Sequence, residues 1–231
     1  MSIELALIAL SRINIFSKII VFIIKEVESY TNKIFIVDKY GNKKRVYKLK
    51  NFNVKIIGSN NIVEIHETAS FAKIYGIIQG KNNKLIIREN CIFYENVYIG
   101  MCCSRNNRQI IIGKDVTIIS AELHCWGNDS TIRINNDCMF SSNINICTSD
   151  GHPIFNKDTG KMAKTGRFVI IGEHCWIGAK ANILKNVKLA SNTIVGACSV
   201  VTKCVNEEYC AIAGNPAKII KRNLTWSKEI S

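Results

Sequence analysis

Aliphatic residues recur at every sixth position in the C-terminal half of the chain. They are Ile171, Ile177, Ile183, Leu189, Val195 and Val201. Four residues after each of them stands a compact side chain, and these are Cys175, Ala181, Val187, Thr193, Ser199 and Val205. An amphipathic helix repeats at about 3.6 residues and a strand at about 2, so this spacing fits neither.

A six-residue period predicts a coil with three flat sides. Each side takes one short strand and one turn, so one coil uses about 18 residues and stacks on the last through parallel hydrogen bonds about 4.8 Å apart. The aliphatic residue points inward on each side, and the compact residue fills the neighbouring inward position. The pattern therefore predicts a mainly β protein built as a parallel β-helix.

The ladder continues towards the N-terminus with interruptions. Its members there are Ile87, Phe93, Ile99, Ile112, Ile118, Ile134, Phe140 and Ile146. Breaks at Ser104–Gln109 and Gly127–Ser130 predict loops at the corners of the coil. The spacing predicts compact inward positions for Cys91, Cys103, Cys138, Cys175 and Glu122, and an aliphatic position for His124.

Residues 3–28 are strongly apolar and predict an N-terminal helix. Arg12, Asn14 and Lys18 interrupt the run, so it falls short of the roughly 20 apolar residues of a membrane span. We expect this helix to pack on the body of the protein or on a neighbouring subunit. Peripheral docking on a membrane is the alternative.

Three regions divide the chain. The runs Lys33–Val37 and Lys44–Lys50 flank a Gly41-Asn42 pair and predict a hairpin. Residues 1–50 are thus expected to form a helix and hairpin cap, and residues 51–215 the β-helix. Residues 216–231 are expected to form a short C-terminal helix and tail that starts at Pro216.

Composition and net charge indicate which kinds of molecule the protein is expected to bind. The chain has 231 residues, 47% of them hydrophobic, and a formal net charge of +13, which attracts phosphates and acidic glycans. The basic residues are scattered, so nucleic acid is not expected as a partner. Ten cysteines without a CxxC pair or a secretory signal predict reduced thiols, no metal site and a cytoplasmic protein, with peripheral association at the inner membrane as a variant.

Four motifs in order carry a family resemblance. They are TSDGHPI at 148–154, IIGEHCWIGAKANILKNV at 170–187, IVGACSVVTK at 194–203 and AGNPAKIIKR at 213–222. Over residues 85–222 the chain resembles the hexapeptide-repeat acyltransferases, and most nearly the branch that O-acetylates sugars of capsules, sialic acids and O-antigens. The resemblance implies a left-handed coil, acetyl-CoA as co-substrate, a sugar or polysaccharide acceptor, and a homotrimer with each site between two prisms.

The resemblance implies that His152 is the catalytic base, and simple chemistry agrees. A sugar hydroxyl needs to lose its proton as it attacks a thioester, and histidine, with an ordinary pKa near 6.5, suits that transfer. His152 also follows Ile146 at the six-residue spacing but is not aliphatic, so the chain should leave the coil there. Residues 153–168 then form an active-site loop, and Asp150 orients that loop or the imidazole.

The resemblance also implies the donor site. Trp176 would line the acetyl-CoA and acceptor site as a flat apolar wall. The positions that match the family's coenzyme A contacts are Ala179, Gly196, Ala197, Thr202 and Lys203, with Lys203, Lys218 and Arg222 able to meet phosphates. The chain departs from the family at Asn186 and Ala190, where relatives usually carry glycine, and at Cys204–Asn206.

Other assignments stay open at this point. Glu122 and His124 are candidates for acceptor binding, although a loop position near Trp126 also explains His124. We expect direct transfer without an acyl-enzyme, since no cysteine stands at a plausible nucleophile position. The alternatives are N-acetylation of a nucleotide-linked amino sugar, a zinc enzyme on the same prism, and a solenoid that only binds.

Overall fold

The computed structural model describes residues 30–163 and 165–229. The predicted N-terminal helix over 3–28 lies outside these residues. The strands are β1 Lys33–Val37, β2 Lys43–Val46, β3 Phe52–Ser59, β4 Ile62–His66, β5 Ser70–Lys81, β6 Lys84–Ile87, β7 Ile92–Met101, β8 Gln109–Ile112, β9 Thr117–Ile118, β10 Ala121–His124, β11 Thr131–Ile134, β12 Met139–Phe140, β13 Ile144–Cys147, β14 Phe168–Ile171, β15 Trp176–Ile177, β16 Asn182–Ile183, β17 Val187–Leu189, β18 Ile194–Val195, β19 Val200–Val201, β20 Cys210–Gly214 and β21 Ala217–Arg222.

Parallel pairing between every third segment wraps these strands into a three-sided prism. The first face contains β1, β4, β6, β8, β11, β14 and β17. The second face contains the first residues of β5 and β7, then β9, β12, β15, β18 and β20. The third face contains β3, the later residues of β5 and β7, then β10, β13, β16 and β19. We call the turns between them the first corner (first to second face), the second corner (second to third) and the third corner (third to first).

The interior of the prism is the ladder that the sequence predicts. The six aliphatic residues from Ile171 to Val201 are all buried, and so are five of the six compact residues, with Val205 half-buried. Asparagines occupy corner positions with positive φ, as at Asn60, Asn82, Asn143 and Asn192. Asparagine tolerates this left-handed backbone better than most residues, which explains its frequency at the turns. The predicted parallel β-helix is confirmed.

Three predictions about inward positions are wrong. Cys103 is exposed, with φ of 61°, because it lies in the loop at the third corner that follows β7. Glu122 points outward with 59% of its side chain exposed, and Leu123 beside it is buried. The reason is that five residues, not six, separate Ile118 from the next inward aliphatic, Leu123, so His124 does not take an aliphatic position either.

Both ends of the prism carry antiparallel strands. At the N-terminal end, β2 pairs antiparallel with β1, which gives the predicted hairpin with a second strand at Lys43–Val46. Because β1 also pairs in parallel with β4, it belongs to the first face, and the coil starts before the expected boundary at residue 51. At the C-terminal end the predicted helix is wrong, because residues 217–222 form β21, paired antiparallel with β20. Ala217 and Ile219 are half-buried while Lys218 and Ile220 are exposed, which is the alternation of an edge strand.

The third corner has a polar interior. Asn61, Asn83 and Arg108 occupy successive coils there and are fully buried. The Arg108 guanidinium donates to the backbone oxygens of Met101 at 2.9 Å and Cys102 at 2.7 Å, and also to that of Gln79. These bonds satisfy carbonyl groups of the loop after β7.

Among the described residues no helix is long and apolar enough to cross a membrane.

Candidate functional site

His152 stands on a turn that leaves the prism at the third corner. The turn is anchored just before it, where the buried Thr148 hydroxyl accepts from the Trp126 backbone nitrogen at 2.9 Å and donates to the Trp126 oxygen at 2.8 Å. The backbone of Gly151 lies against the Trp126 ring, where an added Cβ would meet ring carbons at 3.4 Å. The Trp126 ring therefore packs against the backbone of the turn at Gly151, and the His152 side chain is exposed.

The predicted loop follows His152. It folds on itself through an antiparallel bridge between Phe155 and Met162, and the coil resumes at Phe168, the first residue of β14. The structure thus places the end of the loop one residue before the predicted boundary. Ile154, Phe155 and Met162 are all more than half exposed, so the loop presents apolar side chains to its surroundings.

Asp150 anchors the turn and does not contact the imidazole. Its carboxylate accepts a hydrogen bond from the Lys185 ammonium in the next coil of the third corner. In the part of the chain that the structure describes, the His152 imidazole has no hydrogen-bond partner. Of the two roles predicted for Asp150, the geometry supports orienting the loop.

A cluster on the outward side of the third face leads to this turn. His124 Nε2 and Glu122 Oε2 lie 3.0 Å apart, and the His124 ring lies 5.4 Å from the Tyr98 ring and 4.9 Å from the Trp126 ring. The structure brings the two predicted acceptor residues together and links them, through Trp126, to Gly151. Trp126 and Tyr98 were not predicted. Trp126 follows Glu122 and His124 at every second position, which was the available signal for it, whereas Tyr98 comes from the preceding coil and reaches the cluster through strand pairing.

Trp176 lies on a different side of the prism from His152. It begins β15 on the second face, is 38% exposed, and pairs with Met139 and Ile194 in the neighbouring strands. The second face is opposite the third corner, where His152 stands. Within one chain, the structure does not bring these two predicted catalytic residues together.

The residues predicted to bind coenzyme A fall into separate groups. Ala179, Gly196 and Ala197 form a ridge of small residues at the second corner, whereas Thr202 and Lys203 stand at the third corner, two coils after the His152 turn. Lys218 and Arg222 lie on β21, where Arg222 Nε donates to Glu207 Oε1 at 2.7 Å. The glycine at 196 has a structural cause, since a Cβ there would meet the Ala213 Cβ at 2.9 Å.

The cysteines are free thiols, and several belong to the core. Burial raises the pKa of Cys91 to about 11 and that of Cys125 to about 12. Thiols with such pKa values carry almost no thiolate at neutral pH and are poor nucleophiles. Among the described residues, no group of three or more histidine, cysteine, aspartate or glutamate side chains is placed to hold a metal ion.

The parallel β-helix and the exposed histidine at its third corner define the class of protein, and the chain is similar to known transferases with a left-handed β-helix. The family described as "Bacterial transferase hexapeptide (six repeats)" matches residues 168–203. The polysialic acid O-acetyltransferase of Neisseria meningitidis is 33% identical over 176 residues, which are 76% of this chain and 79% of that protein. The polysialic acid O-acetyltransferase of Escherichia coli O1:K1 / APEC is 35% identical over 120 residues, which are 52% of this chain and 38% of that protein.

Solved structures extend the match over most of the chain. The polySia specific acetyltransferase NeuO superposes with a TM-score of 0.72 at 30% identity, covering 86% of this chain and 79% of that one. The polysialic acid O-acetyltransferase OatWY superposes with a TM-score of 0.59 at 28% identity, covering 78% and 92%. The chain belongs to the hexapeptide-repeat acyltransferase family, as its motifs predict, and its coil has the left-handed form of that family.

Proposed function

We propose that this acyltransferase transfers the acetyl group of acetyl-CoA to a hydroxyl of a surface-glycan sugar, with His152 as the general base. The observation that carries the proposal is the His152 turn, which holds an exposed imidazole clear of the coil on the Trp126 support. The relatives named as polysialic acid O-acetyltransferases and the galactoside O-acetyltransferase of Lactococcus lactis, 32% identical over 100 residues, support an oxygen acceptor.

His152 would act twice in one direct transfer. Its imidazole accepts the proton of the sugar hydroxyl while that oxygen attacks the thioester carbonyl carbon. When the carbon–sulfur bond breaks, the imidazolium returns the proton to the departing thiolate, so the enzyme ends unchanged. The raised pKa values of buried cysteines are consistent with a route that forms no acyl-enzyme.

A homotrimer explains why His152 and Trp176 stand on opposite sides of one prism. A threefold arrangement places the third corner of one chain beside the second face of the next, so that His152 and Trp176 from two chains can reach one substrate. The apolar side chains that the loop exposes, Ile154, Phe155 and Met162, would then be covered by the neighbouring chain.

The donor would lie along the ridge of small residues. Ala179, Gly196 and Ala197 carry no side chain beyond Cβ, so the pantetheine arm can approach the corner backbone, and Trp176 supplies an apolar wall beside it. Lys218 is exposed and free to meet phosphates, whereas the Arg222 guanidinium already pairs with Glu207. We further propose a cytoplasmic site of action, where acetyl-CoA is available and the ten free cysteines stay reduced.

The test is incubation of the full chain with labelled acetyl-CoA and a panel of bacterial glycans, followed by mass spectrometry. We expect a mass gain of one acetyl group that mild alkali removes, because esters hydrolyse under conditions that leave amides intact. His152→Ala should abolish the transfer while leaving the circular dichroism spectrum unchanged. An alkali-stable product would instead indicate N-acetylation, and full activity of the variant would remove His152 from the mechanism.

A further inference from the structure

A ladder of polar and aromatic side chains runs along the outward side of the third face. Strand pairing places Tyr75 beside Tyr98, Tyr98 beside Glu122, Glu122 beside Asn145 and Asn145 beside Asn182. The Tyr75 and Tyr98 rings meet edge to face with centroids 5.3 Å apart, and the Asn145 amide donates to Asn182 Oδ1 at 3.2 Å. An outward face built this way is unlike the first face, which exposes Lys84, Arg133 and Lys188.

A groove of about 390 Å³ lies along this ladder. The residues that line it are Tyr75, Glu95, Asn96, Ser120, Ala121, Glu122, Asn143, Ile144 and Asn145. Its volume falls within the range of about 300–1,000 Å³ that is usual for ligand sites. Amides and carboxylates hydrogen-bond the hydroxyl groups of sugars, and an aromatic ring can pack against the apolar C–H face of a sugar ring.

Several buried polar atoms without a hydrogen-bond partner lie on this face or at its end. Four buried side-chain atoms of the described residues lack a hydrogen-bond partner, and three of them are His124 Nδ1, Trp126 Nε1 and Asn145 Oδ1. A buried polar atom without a partner costs about 1–3 kcal/mol, so such atoms call for an explanation. Of these atoms, Asn145 Oδ1 belongs to a residue that lines the groove, so a polar group bound there can supply its missing hydrogen bond.

The groove lies on the N-terminal side of the His152 coil. Asn145 belongs to that coil, whereas Tyr75, Tyr98 and Glu122 belong to the coils before it. The residues predicted to bind the donor, from Trp176 to Arg222, all follow it. The groove therefore extends away from the donor ridge, and His124 and Trp126 connect it to the turn that carries His152.

We propose that this groove binds uncharged, hydroxyl-bearing units of an acceptor glycan, next to the unit that His152 serves. The inference rests on the proposed function and adds that the acceptor is a chain of sugars and not a single sugar. Glu95 and Glu122 are the charged residues of the lining, and Lys73 lies over the Tyr75 ring at its rim with its ammonium 5.3 Å from the centroid. Two carboxylates against one ammonium repel an acidic sugar unit here and accept hydrogen bonds from hydroxyl groups.

Direct binding tests the groove without relying on turnover. The probes are a neutral tetrasaccharide of alternating galactose and N-acetylglucosamine and a tetramer of sialic acid, each titrated into the full chain by saturation-transfer NMR. We expect saturable binding of the neutral probe, weakened about tenfold by Tyr75→Ala, which removes the aromatic side chain of the lining, and about threefold by Glu122→Gln. Tyr94→Ala is the matched control, because Tyr94 is an exposed tyrosine outside the lining of the groove.

The outcomes separate the groove from the proposed activity. Binding of the neutral probe that Tyr75→Ala weakens and Tyr94→Ala does not supports the groove, even if no acetyl transfer is found. Equal weakening by both variants, tighter binding of the sialic acid tetramer, or no saturable binding of the neutral probe overturns it. Where transfer occurs, kcat/KM should rise from a mono- to a tetrasaccharide in the parent, and Tyr75→Ala should remove that rise while KM for acetyl-CoA stays unchanged.

Discussion

The ring of Trp226 stacks on the imidazole of His174, with 4.5 Å between their centroids and 14° between their planes. The indole nitrogen of Trp226 donates to the His174 oxygen at 2.9 Å, and His174 Nε2 lies 3.1 Å from the Trp226 oxygen. The tail of residues 223–229, which we call the C-terminal strap, is thereby fixed across the first corner. Trp226 also lies 6.1 Å from Trp176, so the strap reaches the predicted donor wall.

Trp226→Ala should weaken donor binding more than it weakens the fold. Loss of the indole removes one side of the Trp176 environment, so we expect KM for acetyl-CoA to rise about fivefold with kcat nearly unchanged, as for an aromatic contact of about 1 kcal/mol. Steady-state kinetics against acetyl-CoA measures this. Trp226→Phe keeps the ring stack and serves as the control, and a fall in kcat at constant KM would contradict the expectation.

Docking of the C-terminal strap should depend on pH in the acid range, because the Asp137 carboxylate accepts a hydrogen bond from the strap residue Lys228. Burial raises the pKa of this carboxyl, but hydrogen bonds from Lys228 and His174 outweigh burial, and the pKa lies below its ordinary value of 3.8. A carboxyl with a lowered pKa stabilises the folded strap above pH 3.8, and that contribution is lost as pH falls through the lower folded value. Tryptophan fluorescence between pH 7 and pH 2.5 should therefore show release of the strap only below about pH 4.

Asp137→Asn should flatten that acid transition. The amide cannot gain or lose the proton, so the variant should be less stable than the parent at pH 7 and should differ from it less at low pH. Asp158→Asn, in the exposed loop, is the matched control and should keep the parent's acid transition. An unchanged transition in Asp137→Asn would show that another group governs the strap.

Arg108→Ala should destabilise the prism strongly. The substitution leaves a cavity and removes the donors that satisfy the Met101 and Cys102 oxygens, so we expect a loss of about 3 kcal/mol in the free energy of unfolding. Urea denaturation followed by circular dichroism measures it. Arg105→Ala, at an exposed position of the same loop, should change the free energy by less than about 0.5 kcal/mol.

Mixed oligomers test whether two chains build one site. His152→Ala and Trp176→Ala should each be inactive as pure proteins. If His152 of one chain works with Trp176 of the next, a refolded equal mixture regains about a quarter of the parent activity, because that fraction of interfaces holds both intact residues. A mixture as inactive as its components would place both residues in one chain's site, and a double variant mixed with itself provides the baseline.

Lys185→Ala should test the anchoring role of Asp150. Without the ammonium the Asp150 carboxylate loses its partner, and the turn that carries His152 gains freedom. We expect kcat/KM to fall about tenfold or less, while the pH profile of the rate keeps its shape, because the proton transfer itself is untouched. A shifted pH profile would instead connect the pair to the ionisation of the imidazole.

Much of this fold can be predicted from the amino-acid sequence. The spacing from Ile171 to Val201 specifies a stacked three-sided coil, because only a period of six returns an aliphatic residue to the interior on every side. The hairpin at Lys33–Val37 and the turn at His152 followed from local signals as well. The order of the four motifs was enough to indicate the family, which the comparisons confirm.

Other features depended on contacts that the sequence does not encode locally. A shortened spacing before Leu123 reversed the orientation expected for Glu122, since one residue moves every later side chain to the opposite side of a strand. The tail after Pro216 became a strand because the free edge of β20 was available to pair with it. The helix propensity of residues 217–222 contains no information about the unpaired edge of β20.

The sequence by itself determined the coil, its corners and the position at which the chain leaves the coil at His152, because each is fixed by residues only a few positions apart. Tertiary structure alone decided which side of the prism each functional group occupies. Residues one coil apart become neighbours through backbone pairing, as Glu122 and Asn145 do, while Trp176 and His152, only 24 positions apart, are separated by the width of the prism. Those distances depend on which residues of successive coils stand side by side, and the six-residue spacing alone does not give that pairing across loops of different lengths.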